Sequence, residues 1–370
     1  MGGAAPKAPT FYRDSAIHET VTDPRSARPG DSPSLAVIIV NWNGAEFLGP
    51  CLRSLAAQAC PGLEVVVVDN GSTDASLELL AREFPRVRVL RSPANNYAAA
   101  NNLGVESVGA ELVCLLNTDT VLEAGCFAAL AQRLAADPGL AGVAPKILYP
   151  DGKRLYTTGI AERDDLYWVD RDQGQPDDGR RDAAEDVFGI SGCCAVYRRA
   201  VFTALGGLDA DFHMYYEDVD FSLRVRAAGH RLGYEPSARV RHVGGGSIAK
   251  TQDGKDPIGE RNRLLVLARH SPERAAREAA RSRWLQAVPA DELRAFLPVL
   301  AAHAADGDAA GLLSDVLVAW RAEAAYPQLV RDRDHWIVKL LREVKRLRIY
   351  RLPWKRLKPI EAEFLRRHGE

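Results

Sequence analysis

Four short runs of β-branched and apolar residues, separated by longer stretches with helical spacing, most constrain the fold of this chain. The runs lie at 37–40, 64–68, 87–90 and 111–116, and the helical stretches lie near 46–58, 74–83, 97–107 and 124–136. This alternation is typical of βαβ units, in which helices cover a parallel sheet. We therefore predict an α/β fold with a mostly parallel central sheet, and such sheets bind ligands beyond the carboxyl ends of their strands.

Polar residues follow each of the four runs at the point where the strand is expected to end. They occupy positions 41–44, 69–72, 95–96 and 117–119. Asn, Asp and Gly also form turns and cap helices, but four consecutive polar strand ends exceed what capping requires. The sequence therefore predicts a ligand site at this edge of the sheet.

The last of these strand ends can supply a ligand for a cation. Asn117 and Asp119 stand two residues apart, so their side chains point toward the same side of the strand's end. A hard divalent cation can take the Asp119 carboxylate as one oxygen ligand and phosphate oxygens as others. Aspartate is also common in turns, and that simpler interpretation stays open for an isolated pair of this kind.

A second acidic cluster, Glu217, Asp218 and Asp220, lies among aromatic residues in the stretch 212–224. Carboxylates packed beside aromatic rings favour a raised pKa in at least one of them. The alternative is an acidic first helical turn in which Asp220 pairs with Arg224 at i,i+4. We expect both, with Asp218 presented for chemistry and Asp220 and Arg224 in a structural pair.

A single histidine, His242, precedes a run of glycines in the stretch 241–247. Imidazole can supply a nitrogen ligand to a divalent ion, and glycines allow the backbone to close over a phosphate. An incidental role is the alternative for a lone histidine. The order of the three pieces along one chain favours a shared site.

Together these segments resemble glycosyltransferase family 2, and specifically its bacterial rhamnosyltransferase-like members. The resemblance covers about 35–265 and rests on VIIVNWNG, VVVVDNGSTD, NNYAAANNLG, LLNTDT, the stretch from GISGCCAVYRR to EDVDFSLRVRAAG, and HVGGGS. It implies a GT-A fold whose nucleotide-binding half precedes its acceptor-binding half. It also implies a hexosyltransferase that moves a sugar with inversion from a dTDP- or UDP-linked donor to a glycan or glycolipid acceptor in cell-surface polysaccharide or glycolipid assembly.

The resemblance further implies a role for individual residues. Asp218 is the expected catalytic base. Asp119 and His242 are the expected ligands of Mg²⁺ or Mn²⁺, and Asp69 is expected to read a pyrimidine base. Asn41, Asn43, Asn96 and Asn117 are expected around the nucleotide, with Gly192 and Glu217 at the donor or acceptor sugar. Asn117 departs from the family's DxD pattern, which implies a hydrogen bond to ribose or phosphate in place of a metal contact.

Other functions fit the sequence less well. No GxGxxG motif opens a helix after the first strand, which argues against a dinucleotide-binding oxidoreductase. No residue is nominated as the nucleophile of a retaining mechanism. A catalytically silent protein that binds a nucleotide sugar in the same pocket stays an alternative.

Charge and hydropathy limit the partners. Lys plus Arg at 48 against Asp plus Glu at 49 give a net charge of -1, so we expect no nucleic acid partner. No run approaches the ~20 apolar residues that span a bilayer, and we expect a cytoplasmic protein. We predict a flexible tail at 1–34, a catalytic domain at 35–265 and a helical region at 266–370. Its basic, aromatic end at 339–367 is either a solvated helix or a peripheral contact with the membrane.

Overall fold

A computed structural model of the chain describes residues 33–163, 167–244, 257–271 and 288–304, with residues 274, 275, 278, 282, 284 and 285 between the last two ranges. The predicted tail at 1–34 and the basic segment at 339–367 therefore lie almost wholly or wholly outside the described residues. In the part of the chain that is described, no helix combines the length and the apolar composition needed to cross a membrane.

The described elements alternate between strands and helices over the first half of the chain. In order they are β1 (Leu35–Asn41), α1 (Ala45–Ala56), β2 (Glu64–Asp69), α2 (Ser76–Glu83), β3 (Arg88–Arg91), α3 (Tyr97–Glu106), β4 (Leu112–Asn117), β5 (Thr120–Leu122), α4 (Cys126–Ala136), β6 (Leu140–Leu148), β7 (Leu155–Thr157), β8 (Ile160–Glu162), β9 (Trp168–Asp170), β10 (Glu185–Val187), β11 (Cys194–Arg198), α5 (Arg199–Ala204), a 3₁₀ turn (Ala210–Phe212), α6 (Glu217–Ala227), β12 (Arg231–His242), α7 (Pro257–His270) and α8 (Ala290–His303).

One mixed sheet forms the centre of the fold, in the order β10-β12-β6-β11-β4-β1-β2-β3. Its parallel part, β4-β1-β2-β3, is the part that the sequence predicted, and β11 runs antiparallel to both β4 and β6. The register pairs Asn41 with Asp69 and Val40 with Asn117. The polar ends of three strands therefore meet at one edge of the sheet, as predicted.

The central strands are apolar throughout because both faces of the sheet are covered. Every residue of β1 is buried, and its alternate side chains enter two separate apolar clusters, one on each face. The six cysteines are all free thiols, and Cys114 is a fully buried core residue of β4.

The stretch 150–186, which we call the excursion, lies between β6 and β11 and contains short paired strands. Strand β7 pairs with β6, β8 pairs with β9, and β10 pairs with β12. Each of these added strands has only three residues, which is too short for hydrophobic periodicity to be visible in the sequence. The excursion is thus attached to the central sheet near both of its ends.

The described C-terminal helices pack against β8, β9, the 3₁₀ turn and α6. Buried residues of α7 and α8 share one apolar cluster with Phe212, Val219, Ile160 and Trp168. The predicted boundary at 265 falls inside α7, which runs from Pro257 to His270. The packing of α7 therefore bears directly on the loop that precedes α6.

Candidate active site

A cavity of about 460 Å³ opens at the carboxyl edge of the parallel strands and collects most of the predicted site residues. Those that line it are Asn43, Asn117, Asp119, Gly192, Glu217, Asp218 and His242. They come from the ends of β1, β4 and β12, from the turn before β11 and from the start of α6. Residues far apart in the sequence thus share one cavity.

Three predicted nucleotide-binding residues, Asn41, Asp69 and Asn96, do not line this cavity. Asn41 and Asp69 are buried at adjacent strand ends, where the Asn41 amide donates to the Ser72 hydroxyl at 3.0 Å. Asn96 caps α3, with its side-chain oxygen accepting from the backbone of Ala99 at 3.0 Å. Their observed contacts fix the loops at this edge of the sheet.

Two neighbouring amides that sequence reasoning did not select, Asn70 and Asn95, line the cavity. The Asn70 amide nitrogen donates to the Asn95 oxygen at 2.8 Å, and the Asn70 oxygen accepts from the backbone nitrogen of Asn96 at 3.1 Å. The signal for both was present, because each stands in a polar strand end beside a residue that was selected.

Asp119 and His242 lie side by side, as the sequence predicted. The Oδ1 atom of Asp119 is 3.0 Å from Nε2 of His242, and the Asp119 Oδ2 atom accepts from the backbone nitrogen of Gly244 at 3.1 Å. Burial alone would raise the pKa of Asp119, but the hydrogen bonds from His242 and Gly244 bring it below its usual value. The carboxylate is therefore ionised at neutral pH.

This pair offers the ligand types that a divalent cation requires. A carboxylate oxygen and an imidazole nitrogen are both ligands for Mn²⁺ and related ions. Within the described residues the Nδ1 atom of His242 has no hydrogen-bond partner, and the Tyr156 ring packs edge-on against the imidazole with centroids 4.4 Å apart. The ring is thus held by packing, with Nε2 directed at Asp119.

A different group of ligand-type side chains, Asp209, Asp211 and His303, is also close enough in the described residues to surround one ion. Asp209 forms an ion pair with Arg269 and a 3.1 Å hydrogen bond with His303. The guanidinium already supplies the positive charge that a metal would bring. We interpret this cluster as part of the packing between the 3₁₀ turn, α7 and α8.

Asp218 stands in the first turn of α6 and faces the turn before β11. Its Oδ2 atom accepts from the backbone nitrogen of Gly192 at 2.9 Å, and its Oδ1 atom accepts from Val219 at 2.8 Å. Burial raises the pKa of Asp218 despite these bonds. Burial and then the charge of Asp218 raise the pKa of Glu217 well above its usual range.

The loop that leads into α6 has an unusual backbone. His213, Tyr215 and Tyr216 all have positive φ, at 60°, 68° and 67°. His213 has ψ of -65°, and the Met214 nitrogen donates to the Phe212 oxygen at 2.7 Å, which together define a classic γ-turn, a rare and strained conformation. The segment immediately before Glu217 and Asp218 is therefore held in a conformation that it would not adopt alone.

Asn262 of α7 holds this loop. Its side chain is fully buried, and its amide nitrogen lies 2.7, 2.8 and 2.8 Å from the carbonyl oxygens of Phe212, Met214 and Tyr215. Sequence reasoning missed Asn262, because the only local sign was an asparagine inside a helix, where its propensity is low. Its role depends on tertiary packing.

Asp220 has a structural role, as expected. It is fully buried and accepts from Arg224 at 2.8 Å, from Arg269 at 2.7 Å and from His270 at 2.9 Å. Burial alone would raise its pKa, but the hydrogen bond from His270 and the charges of the two arginines bring it below its usual value. The acidic start of α6 thus divides between the cavity and the contact with α7.

The excursion contributes residues to the cavity that no sequence motif predicted. Tyr156, Trp168, Val169 and Asp170 all line it. Burial and the nearby charge of Asp218 raise the pKa of Asp170 to about 6, and a hydrogen bond with Thr157 and the charge of His242 oppose this rise. The excursion therefore forms part of the cavity wall.

Comparison with known proteins gives a family match for part of the chain. Residues 36–206 match the family model described as glycosyl transferase family 2. The chain is 30% identical over 224 residues to uncharacterized protein y4gI of Sinorhizobium fredii, which is 57% of this chain and 24% of that protein. It is 28% identical over 231 residues to the N-acetylglucosaminyl-diphospho-decaprenol L-rhamnosyltransferase of Mycobacterium tuberculosis, which is 56% of this chain and 75% of that protein.

A solved structure gives the fold. The crystal structure of GalNAc-T7 with UDP, GalNAc and Mn²⁺ matches 74% of this chain and 55% of that chain, with a TM-score of 0.55 and 18% sequence identity. At this identity the likeness shows the fold alone, and that fold is the GT-A fold that the sequence led us to expect. Residues 36–206 of this chain therefore resemble glycosyl transferase family 2 in both sequence and fold.

Proposed function

We propose that the chain is a metal-dependent, inverting glycosyltransferase that moves a sugar from a dTDP- or UDP-linked donor to an acceptor hydroxyl. The observation that carries the proposal is the single cavity in which the Asp119–His242 pair and the Asp218 carboxylate both stand. Transfer from a nucleotide diphosphate needs a counter-charge for the leaving group and a base for the acceptor proton. The cavity contains side chains suited to both needs.

In the proposed reaction Asp218 accepts the proton of the acceptor hydroxyl while the oxygen attacks the anomeric carbon of the donor. The bond from that carbon to the diphosphate breaks in the same displacement, which inverts the anomeric configuration. The backbone N–H groups of Gly192 and Val219 fix the carboxylate, and each of its oxygens keeps a lone pair for the incoming proton. Asp119 and His242 would hold Mn²⁺ or Mg²⁺, which neutralises charge on the departing diphosphate when bound.

Support for the donor and acceptor class comes from the relatives. The mycobacterial relative is named for the transfer of L-rhamnose to a lipid-linked N-acetylglucosamine diphosphate. This likeness favours rhamnose as the sugar and a glycan or glycolipid as the acceptor, in the assembly of a cell-surface polysaccharide or glycolipid. The second candidate function is a nucleotide-sugar-binding protein without turnover, and the first experiment distinguishes the two.

That experiment measures binding and turnover separately. Isothermal titration with dTDP, UDP, dTDP-rhamnose and UDP sugars, each with and without Mn²⁺, should give metal-dependent binding. Release of the nucleoside diphosphate should then require a lipid-linked or glycan acceptor. Asp218→Asn should reduce the turnover number about 10²- to 10⁴-fold and leave nucleotide affinity unchanged.

Three other results would be decisive. Metal-dependent binding with no turnover on any acceptor would support the silent binding protein. Full turnover in Asp218→Asn would remove this residue from the role of base. Retention of the donor's anomeric configuration in the product, read from proton–carbon couplings by NMR, would exclude the single displacement.

A further inference from the structure

The excursion places one carboxylate, Asp170, in the wall of the cavity. Asp170 ends β9, whose pairing with β8 sets Ile160 opposite Asp170. Backbone bonds next to this pair, from Arg171 to Gly159 at 2.8 Å and from Ile160 to Gly189 at 2.8 Å, connect the hairpin to the turn before β11. Asp170 is thus positioned by a paired hairpin instead of a free loop.

The surroundings of Asp170 exclude an anionic partner. Asp119, Glu217 and Asp218 line the same cavity, and Asp218 and Asp170 are close enough for the first to raise the pKa of the second. A fourth carboxylate at this place would repel a diphosphate, because like charges at short range in a partly buried site disfavour each other. The group that Asp170 receives should therefore be neutral or a hydrogen-bond donor.

Asp170 is close enough to His242 to feel its charge, but it does not form a compact three-residue ligand group with the expected metal ligands. The one three-residue ligand group found in the described part of the chain is Asp209, Asp211 and His303. Asp170 therefore does not complete a compact set with Asp119 and His242. A sugar hydroxyl is the neutral donor that remains, since the proposed substrate carries several of them.

Two further polar atoms at this wall lack partners. The side chains of Trp168 and Glu217 are 8% and 5% exposed, and both line the cavity. Within the described residues neither Nε1 of Trp168 nor Oε2 of Glu217 makes a hydrogen bond. Buried polar atoms without partners cost free energy, and both atoms are closed to solvent in this structure, so a ligand in the cavity would bond to them only after the wall moves. An indole, a carboxyl group and a carboxylate together suit the apolar faces and hydroxyl edges of a sugar ring.

We infer that the hairpin β8–β9 forms the subsite for the transferred sugar, with Asp170 accepting hydrogen bonds from its hydroxyl groups. The inference rests on the proposed function and adds the part of the chain that selects the sugar. Diphosphate recognition stays with Asp119, His242 and the strand ends, and sugar recognition comes from a segment that lies between motifs. Asp170 is then a specificity residue and takes no part in proton transfer.

The test separates the sugar from the nucleotide. Isothermal titration measures the affinities for UDP, for dTDP and for each nucleotide sugar that the wild-type protein binds. The same measurements are made on Asp170→Asn and Asp170→Ala. The contribution of the sugar is the affinity for a nucleotide sugar divided by the affinity for the corresponding free nucleotide. Asp170→Ala should reduce that ratio about 10- to 100-fold, the range for a lost hydrogen bond to a charged group, while the affinity for UDP or dTDP stays within about twofold.

A deoxy donor supplies the second arm. A donor that lacks the hydroxyl bound by Asp170 should bind the wild-type protein as weakly as the full donor binds Asp170→Ala. The affinity for this deoxy donor should not fall further in Asp170→Ala. Asp178→Asn is the matched control: it removes one negative charge from the same excursion, at an exposed position whose carboxylate pairs with Arg180 and does not line the cavity. It should leave every affinity unchanged.

The outcomes distinguish this inference from the proposed function. A wild-type protein that binds neither UDP nor dTDP would overturn both. Normal nucleotide binding with an unchanged sugar ratio in both Asp170 variants would overturn the sugar subsite alone. Unchanged donor binding with a raised KM for the acceptor would also overturn it, by assigning Asp170 to the acceptor. Intact UDP or dTDP binding in each variant shows that the variant is folded.

Discussion

Replacing Asn262 with alanine should separate catalysis from nucleotide binding. Asn262 lies outside the cavity, yet its amide contacts three carbonyl oxygens of the loop that carries Asp218 into position. The loop itself contains three non-glycine residues with positive φ. Without the amide, the loop loses these three contacts with α7.

The strain in the loop and the stabilisation that is lost with the amide are comparable in size. A residue held in a sparsely populated backbone region costs about 1–3 kcal/mol, so the three residues of the loop store about 3–9 kcal/mol. A buried carbonyl left without a donor costs about 1–3 kcal/mol, and one amide group has two hydrogens to give, so its loss removes about 2–6 kcal/mol. Because the lost stabilisation matches the strain, the loop in Asn262→Ala should relax toward ordinary backbone angles.

Relaxation of the loop moves the start of α6, and with it the Asp218 carboxylate. A displacement of about 1 Å of a catalytic group can cost about 10²-fold in rate. We therefore expect the turnover number of Asn262→Ala to fall about 100-fold, measured by nucleoside diphosphate release under saturating donor and acceptor. The affinity for UDP or dTDP should stay within about threefold of wild type, because the strand ends that face the nucleotide are unchanged.

A control on the same helix distinguishes positioning from general destabilisation. Arg269→Ala removes the 2.7 Å bond to buried Asp220 and leaves the carbonyl contacts of Asn262 in place. It should lower the unfolding temperature as Asn262→Ala does, but keep turnover within a few-fold of wild type at a temperature where both variants are folded. Equal turnover in the two variants, whether both high or both low, would refute the positioning argument.

Three further perturbations test the electrostatics of the site. EDTA should abolish transfer, added Mn²⁺ or Mg²⁺ should restore it, and Asp119→Ala should lower kcat/KM at least about 10²-fold; full activity in EDTA would contradict the metal pair. Burial raises the pKa of Asp218 above its ordinary value of 3.8, and a protonated carboxyl group cannot act as a base. As the pH is lowered, kcat/KM should therefore begin to fall at a pH above 3.8. A fall that begins only at or below pH 3.8 would contradict this. The folded-state pKa of Asp220 is lowered, so its contribution to stability is present above 3.8 and is lost as pH falls below it; urea unfolding between pH 3 and pH 6 should show less acid sensitivity in Asp220→Asn than in wild type.

The sequence predicted the part of the fold that local pattern determines. β-branched runs define β1, β2 and β4, and parallel pairing then brings their polar ends together without further information. Asp119 and His242 are 123 positions apart, and the motifs identified both before any contact between them was known. Motifs are effective here because the proposed cation and diphosphate would demand specific donor atoms.

The rest of the site has no comparable signal in the sequence. Strands β7, β8, β9 and β10 have three residues each, so neither periodicity nor propensity distinguishes them from loop. Asn262 looks like a weak helix former, and its importance depends on carbonyl groups about 50 residues earlier in the chain. Both cases depend on long-range contacts, for which a single sequence contains no periodic signal.

The excursion and Asn262, which no sequence motif predicted, suggest how such a site can change its substrate while keeping its chemistry. The excursion is anchored to the central sheet by the pairing of β7 with β6 and of β10 with β12, so residues between these anchors can change without moving β1 or β4. Asn262, by contrast, holds the loop before Asp218 from α7, where a change would alter catalysis for every sugar. Substitutions at Asp170 should therefore redistribute rates among donor sugars, whereas substitutions at Asn262 should lower all of them by a common factor, and a donor panel assayed on both variants tests that difference directly.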